Sequence, residues 1–421
     1  MSSALGIIIV LTGIAVSIAL HELGHFLPAR RFGVKVTQFM VGFGPTLWSK
    51  RRGETEYGIK VIPLGGYIRM IGMFPPAAEG RAPRGRFAAA IERARADSLA
   101  EVDAADAGRE FWRLPVHKRL VIMAGGPVTN LLLCFVFFGV ALLGIGSPVL
   151  TAKLAQVVAC VPTAANPEGL ASVDGGCAGG PRSFAAVHGL RAGDVVTSIN
   201  GVTVRRWADV SKQVRPRAGE TVTVTVRRAD GSTATASGAL PAREADGKTY
   251  GFLGGVATVD YERGNVSDVG SAVWELTTSS VQALVALPAS VVRLTVSLVT
   301  GAPREAQGPV SVVGIADVGG QIASSGADAR GITAMFLALV GSLNLFLFLF
   351  NMLPLLPLDG GHIAGGVFEA VRRAFARLRG RPDPGPADTA RMLPLAYLVA
   401  SLLILMSVVV MLADIVRPIS M

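Results

Sequence analysis

The segment His21-Glu22-Leu23-Gly24-His25 holds the residues best placed for chemistry in this chain. On a helix, side chains four positions apart share a face, so both imidazoles can reach one metal ion. Glu22 stands between them, where a carboxylate can take a proton from a metal-bound water. The reaction class this predicts is zinc-assisted hydrolysis. The chain has only five histidines in 421 residues, which makes a chance pairing at this spacing rare. A hydrolytic zinc site takes three protein ligands and keeps a position open for water. Two residues of Asn351-Met352-Leu353-Pro354-Leu355-Leu356-Pro357-Leu358-Asp359-Gly360-Gly361-His362 can supply the third, the carboxylate of Asp359 or the imidazole of His362.

The elements that must hold these groups belong in a lipid bilayer. The chain is 51% hydrophobic, with a mean hydropathy of +0.49 and only 17% charged residues, against about 25% in soluble domains. Four apolar runs, 5–27, 120–145, 332–356 and 392–416, reach the roughly 20 residues that a crossing needs. The first run lacks a basic n-region and a small-residue cleavage site, and it carries the metal motif, so it is expected to be retained. Ionisable groups inside a crossing cost about 2.5–3.5 kcal/mol each on insertion scales, which argues for a functional reason.

The net charge of +10 does not point to nucleic acid, since no basic groove interleaved with aromatics accompanies it. Lys and Arg instead flank the apolar runs. Arg30, Arg31, Lys35, Lys50, Arg51, Arg52, Lys60, Arg69, Lys118 and Arg119 lie between the first and second runs. Arg372, Arg373, Arg377, Arg379, Arg381 and Arg391 lie between the third and fourth. The positive-inside rule places both loops in the cytoplasm, and both termini and residues 146–331 outside. His21 and Asp359 then share a depth near the cytoplasmic face. Residues 273–299 are apolar but contain Glu275 and Arg293. They are expected to form an amphipathic helix pair on or near the membrane. A fifth crossing there would reverse the orientation of everything that follows.

With these motifs in place, the chain resembles the site-2 protease family of intramembrane metalloproteases, in particular its regulator-of-sigma-E protease group. Gly42-Phe43-Gly44-Pro45 and Gly126-Pro127-Val128-Thr129-Asn130 match further motifs of that group. The likeness covers nearly the whole chain. It implies His21, His25 and Asp359 as zinc ligands and Glu22 as catalytic base. It implies Asn351, Asn130, Gly42, Phe43 and Gly44 as residues that hold substrate. Pro357 falls one place later than in the group's usual pattern, with the Asn-to-Asp spacing kept. The implied substrates are single-pass transmembrane proteins such as anti-sigma factors, or remnant signal peptides, already cut once outside the membrane. The implied place is the inner or plasma membrane, and the implied role is regulated intramembrane proteolysis. Gly308-Pro309-Val310 resembles an element of the group expected near the mouth of the active site.

The remaining segments read as follows. Residues 31–74 alternate in short β-branched stretches punctuated by glycines, and the resemblance implies a membrane-re-entrant β-hairpin there. A substrate helix must unwind to be cut, and an exposed strand edge supplies partners for its freed backbone groups. Residues 75–110, rich in Ala, Arg, Asp and Pro, are expected to be a mobile cytoplasmic insert. Phe111, Trp112 and Leu114 look like an interfacial anchor that leads into the second span, 111–146. His188 to Gly201 resembles the signature of a PDZ domain, placed at 151–258, which would bind extended chain ends by strand addition or exclude bulky proteins by size. Cys160 and Cys177 can pair if their stretch faces an oxidising compartment. The expected fold is a polytopic α-helical membrane protein with four transmembrane helices, a membrane-associated β-hairpin region and one extracytoplasmic α+β PDZ domain. Its remaining parts are the first span at 1–30, amphipathic helices at 259–330, the third span at 331–366, a cytoplasmic loop at 367–391 and the fourth span at 392–417. A membrane scaffold built on the PDZ domain would have no use for Glu22. A metal transporter would not be expected to carry a single metal motif beside a PDZ domain.

Overall fold

The computed structural model describes residues 2–418 apart from 77–86, 101, 164–165, 172–175, 178–179, 246 and 306–307. Two compact units result, Ile145–Gly264 alone and Met1–Gly144 together with Asn265–Met421.

The first unit opens with helix α1 (Ser3–Arg31). Its buried positions, among them Val10, Ser17, Glu22, His25 and Ala29, recur at helical spacing and define one inward face. Large apolar side chains such as Ile8, Val16 and Leu27 stay exposed on the other side, as suits a helix in lipid. Strands β1 (Val36–Arg52) and β2 (Thr55–Met70) form an antiparallel pair with several register shifts. The stretch Gln38–Val41 pairs with both ends of β2, near Glu56–Ile59 and near Gly66–Arg69. The doubling-back uses Gly42 and Gly44, whose φ values of +96° and +85° are open to glycine. Helix α2 (Ala88–Ala100) follows, then α3 (Val116–Gly139), which a π-helical turn extends over Val140–Ile145. Helices α1 and α3 touch through their backbones, because a Cβ on Gly24 would lie 2.4 Å from the carbonyl oxygen of Gly125.

The second unit holds β3 (Ser147–Val157), α4 (Phe184–Val187), β4 (Val195–Ile199), β5 (Val202–Thr203), α5 (Trp207–Val214), β6 (Thr221–Arg227), β7 (Thr233–Ala239), β8 (Ala242–Ala245), β9 (Lys248–Gly251) and β10 (Gly255–Glu262). The main sheet runs β10-β3-β4-β6-β7 with β5 on β4, and β8 pairs with β9. Alternation along β6 turns Val222, Val224 and Val226 into a core with Leu154, Phe184 and Ile199. Asn200 and Gly201 take positive φ at the β4–β5 turn. Cys160 and Cys177 are joined by a disulfide.

The first unit resumes with α6 (Val266–Thr300), α7 (Val312–Ser324), α8 (Ala329–Asn351), α9 (Asp359–Leu378) and α10 (Leu393–Val416). Among the described residues, five helical segments are long and apolar enough to cross a membrane: α1, α3 with its extension, α6, α8, and α10 with the turn before it.

Three elements depart from the expectations. Residues 273–299 are not a helix pair but part of the single 35-residue α6, which raises the number of candidate spans to five. The Asn265–Asp268 capping box starts it and Gly301, with φ of 80°, ends it, while Pro288 sits inside without breaking it. The third apolar run stops at Asn351 rather than continuing to 356, because Pro354 and Pro357 cannot extend the helical ladder. Most of the expected 367–391 loop is helix, since α9 continues to Leu378. Within the 75–110 insert, α2 is docked by Arg95, whose guanidinium donates to both carboxylate oxygens of Asp388 at 2.9 Å.

Candidate metal centre

Helix α1 places His21 and His25 one turn apart, with ring centroids 4.8 Å apart and planes at 83°. The Nε2 atoms of the two rings are 3.2 Å apart, and each lies 3.3 Å from Asp359 Oδ2. The three atoms form a nearly equilateral triangle. Tetrahedral ligands at zinc distances of about 2.0–2.1 Å lie about 3.3–3.4 Å from one another, so the observed edges fit that ion. Asp359 Oδ2 is buried and has no hydrogen-bond partner. A buried carboxylate oxygen facing two imidazole lone pairs is costly unless a cation neutralises it.

The protons on the two rings can be assigned from their outer contacts. His25 Nδ1 donates to the carbonyl oxygen of Ile122 at 2.7 Å, leaving Nε2 free to ligate. His21 Nδ1 lies 3.0 Å from the Asn130 amide. With Nε2 directed at Asp359, Nδ1 carries the proton and needs an acceptor. Asn130 Oδ1 is buried without a partner. Turning the amide by 180° lets Oδ1 accept from His21 and satisfies both groups. Asn130 is wholly buried beside His21 and is also among the residues that line the cavity over the site.

Asp359 reaches the site because α8 runs beside α1 in the same direction. Asn344 Nδ2 donates to Ser17 Oγ at 2.9 Å, both residues buried. One or two turns further along each helix come His21 and the Pro354–Pro357 break, after which α9 begins at Asp359. Helix α3 runs the opposite way, with Ile122 at His25 and Asn130 at His21. The floor of the site is Gly126, where a Cβ would lie 2.2 Å from His25 Nε2.

A cavity of about 600 Å³ opens over this triangle. It is lined by His21, Glu22, His25, Phe43, Asn130, Asn351, Asp359 and His362, together with Gly65, Gly66, Tyr67 and Ile68 of β2. Glu22 is buried and lies against the strand, since a Cβ on Gly66 would meet its Cγ at 2.9 Å. Phe43 stacks on Tyr67 at 6.3 Å. Gly42 and Gly44 do not line the cavity but shape the strand on either side of Phe43. His362, the rival ligand, lines the cavity yet is not part of the converging triad His21, His25 and Asp359.

Within the 31–74 region expected to hold a substrate strand, Gly65–Ile68 were not singled out, and neither was the Ser17–Asn344 pair. The glycine pair Gly65-Gly66 was their one visible signal.

Known proteins are similar in sequence along most of the chain. A sequence model of Peptidase family M50 matches residues 9–382. The zinc metalloprotease Rip1 of Mycobacterium tuberculosis (strain H37Rv) is 33% identical over 429 residues, covering 98% of both chains. Rip1 of Mycolicibacterium smegmatis is 30% identical, over 100% of this chain and 99% of that protein. The regulator of sigma-W protease RasP of Bacillus subtilis is 27% identical, over 84% of this chain and 87% of its own. The converging triad His21, His25 and Asp359, the adjacent Glu22 and this match along nearly the full length lead to one assignment: the chain belongs to Peptidase family M50, the site-2 protease family of zinc metalloproteases.

Proposed function

We propose that this zinc metalloprotease cuts transmembrane segments of single-pass membrane proteins, anti-sigma factors foremost and remnant signal peptides next, after a first extracytoplasmic cut. The observation that carries the reading is the placement of Glu22 and the His21–His25–Asp359 triangle under a cavity walled by β2. The name of RasP, a regulator of sigma-W protease, supports the choice of substrate class.

In this reading His21, His25 and Asp359 hold the zinc. Zinc, when bound, polarises a carbonyl and acidifies a coordinated water. Glu22 takes the proton of the attacking water and returns it to the leaving amine. Residues 65–68 of β2 offer backbone groups to the unwound substrate, with Asn351 and Phe43 on either side. Asn130 keeps His21 in its ligating tautomer.

For topology, α1 and α8 run in parallel. An even number of crossings must therefore separate the end of α3 from the start of α8. Helix α7 has 13 residues and spans about 20 Å, less than the roughly 30 Å hydrocarbon core. It cannot bring the chain back after a crossing by α6. This supports four full crossings, by α1, α3, α8 and α10, with α6 inclined within the outer part of the bundle. It also supports both termini and the Ile145–Gly264 unit lying outside the cell. The antiparallel sheet and glycine turns of that unit, and its disulfide, fit a PDZ domain in an oxidising compartment that filters substrates by chain end or by size.

The test is Glu22→Gln in the purified chain with a model transmembrane substrate. The variant should keep its zinc and lose cleavage. Cleavage at the original rate would overturn the mechanism. Cleavage only of soluble peptides would overturn the substrate class.

A further inference from the structure

Helix α9 has two faces. One packs on α3: Gly366 lies against Leu120, and Glu369, wholly buried, accepts from Arg119 at 2.6 Å and from the amide of Ala387 at 2.8 Å. The opposite face is open. Val367, Phe368, Val371, Phe375 and Leu378 are 47–84% exposed. Their spacing puts them on one stripe about 100° wide. Arginines border it, with the Arg379 guanidinium 5.8 Å from the Phe375 ring and that of Arg372 5.9 Å from Phe368. Arg377 is exposed at the same end of the helix, though on the face of Gly366 rather than beside the stripe. Neither Arg377 nor Arg379 forms an ion pair with a described residue. Helix α9 is not among those apolar enough to cross a membrane.

We propose that the outer half of α9 lies in the headgroup layer and docks an anionic lipid leaflet. An apolar stripe edged by arginines is the pattern of a helix lying in the interface. The apolar side chains enter the upper acyl region. Arg377 and Arg379 take headgroup phosphate oxygens in bidentate fashion. Charge complementarity selects an anionic leaflet rather than a neutral one, because the two cations have no carboxylate of their own. The seating has a reach beyond the surface. Asp359 is the first residue of the same helix, and Glu369 pins the helix to Arg119 between the two ends. Docking the stripe therefore fixes the carboxylate that completes the zinc triangle. The inference rests on the membrane reading and not on the choice of substrate.

The experiment uses the full-length protein with Cys134→Ser, which removes the free thiol, and Leu378→Cys carrying an environment-sensitive dye. It is reconstituted in phosphatidylcholine vesicles with or without phosphatidylglycerol. Brominated acyl chains should quench the dye more strongly when phosphatidylglycerol is present, and aqueous iodide less. Arg377→Gln with Arg379→Gln should abolish that difference. Salt at about 1 M, which cuts the screening length to about 3 Å, should do so with the arginines intact, which covers a failure of the double variant to fold. Zinc loss to a chelator should be slower in the anionic vesicles, a readout that does not depend on proteolysis. Equal quenching in both vesicles, or a dye shielded from both quenchers as a protein partner would shield it, overturns the proposal. A shift produced by inorganic phosphate with phosphatidylcholine alone also overturns it, in favour of a soluble anion site. Unchanged zinc loss overturns the link to Asp359.

Discussion

His21 and Asn130 meet on the side of the imidazole turned away from Asp359, at 3.0 Å. The contact decides which nitrogen of His21 is free to ligate. It also gives Asn130 a positioning role toward His21, beside its place on the cavity wall. Outer partners of metal ligands typically contribute about 10–100-fold to metal affinity or activity. Asn130→Leu should therefore weaken zinc binding by about that factor, measured by competition with a chromogenic chelator, with little change in KM. Asn130→Asp should retain affinity, because its carboxylate still accepts from Nδ1. A rise in KM with zinc affinity unchanged would show instead that Asn130 contacts substrate.

Two glycines in the site should separate metal binding from catalysis. Gly126→Ala sets a methyl 2.2 Å from His25 Nε2, and zinc content should fall sharply. Gly66→Ala presses on the Glu22 side chain, so zinc should stay while kcat drops. Metal analysis and single-turnover cleavage on both variants distinguish the two effects. Full activity in Gly66→Ala would mean that the strand is not seated against Glu22.

The Arg304–Asp414 pair ties the end of α10 to the α6–α7 connection. The two side chains are nearly buried, with Nη2 to Oδ1 at 2.6 Å, and Asp414 Oδ2 also accepts from the amides of Ser311 and Gly314. Removing one partner of a buried pair costs about 3–5 kcal/mol because the other charge is stranded. Asp414→Ala should lower the melting temperature of the detergent-solubilised protein markedly. Replacing both by apolar residues of similar volume should recover much of the loss.

Outside the membrane segments, the Arg109 guanidinium grips Glu54 with two hydrogen bonds, at 2.7 and 2.9 Å. That contact holds the Glu54 carboxyl below the usual range. A carboxyl lowered in the folded state adds stability above its unfolded pKa and loses it as pH falls through the folded value. Melting curves of the intact protein should therefore drop on acidification below about pH 4, where free glutamate titrates. In Arg109→Gln that part of the drop should be absent. The same curve in both proteins would remove the pair from the list of acid-sensitive contacts.

Much of the centre was legible in the residues themselves. His21, Glu22 and His25 are close enough for helical periodicity to assemble them, while the prolines before Asp359 were not read as the break that ends α8 at Asn351. Residues such as Asn344 and Ser17 were not legible. Each looks like an ordinary polar interruption in an apolar run, and only the parallel packing of α1 and α8 brings them together. The Gly65–Ile68 wall lies in the 31–74 region expected to hold a substrate strand, but its residues were not singled out, because their place depends on a strand whose register shifts repeatedly. The α6 helix was misread as a pair because Glu275, Arg293 and several Ser and Thr residues interrupt the apolar run. In an apolar setting an unbroken ladder is the cheaper state for the backbone.

The proposed ligand triangle also implies an order of events during synthesis. Helix α1 delivers two corners first, but Asp359 sits on α9, which is made only after the whole Ile145–Gly264 unit and α6 to α8. A nascent or truncated chain that has the histidines and Glu22 lacks the third corner. Hydrolytic capacity therefore arrives late, once the bundle around it has closed, and the enzyme is inert while its own unfolded spans are still passing through the membrane.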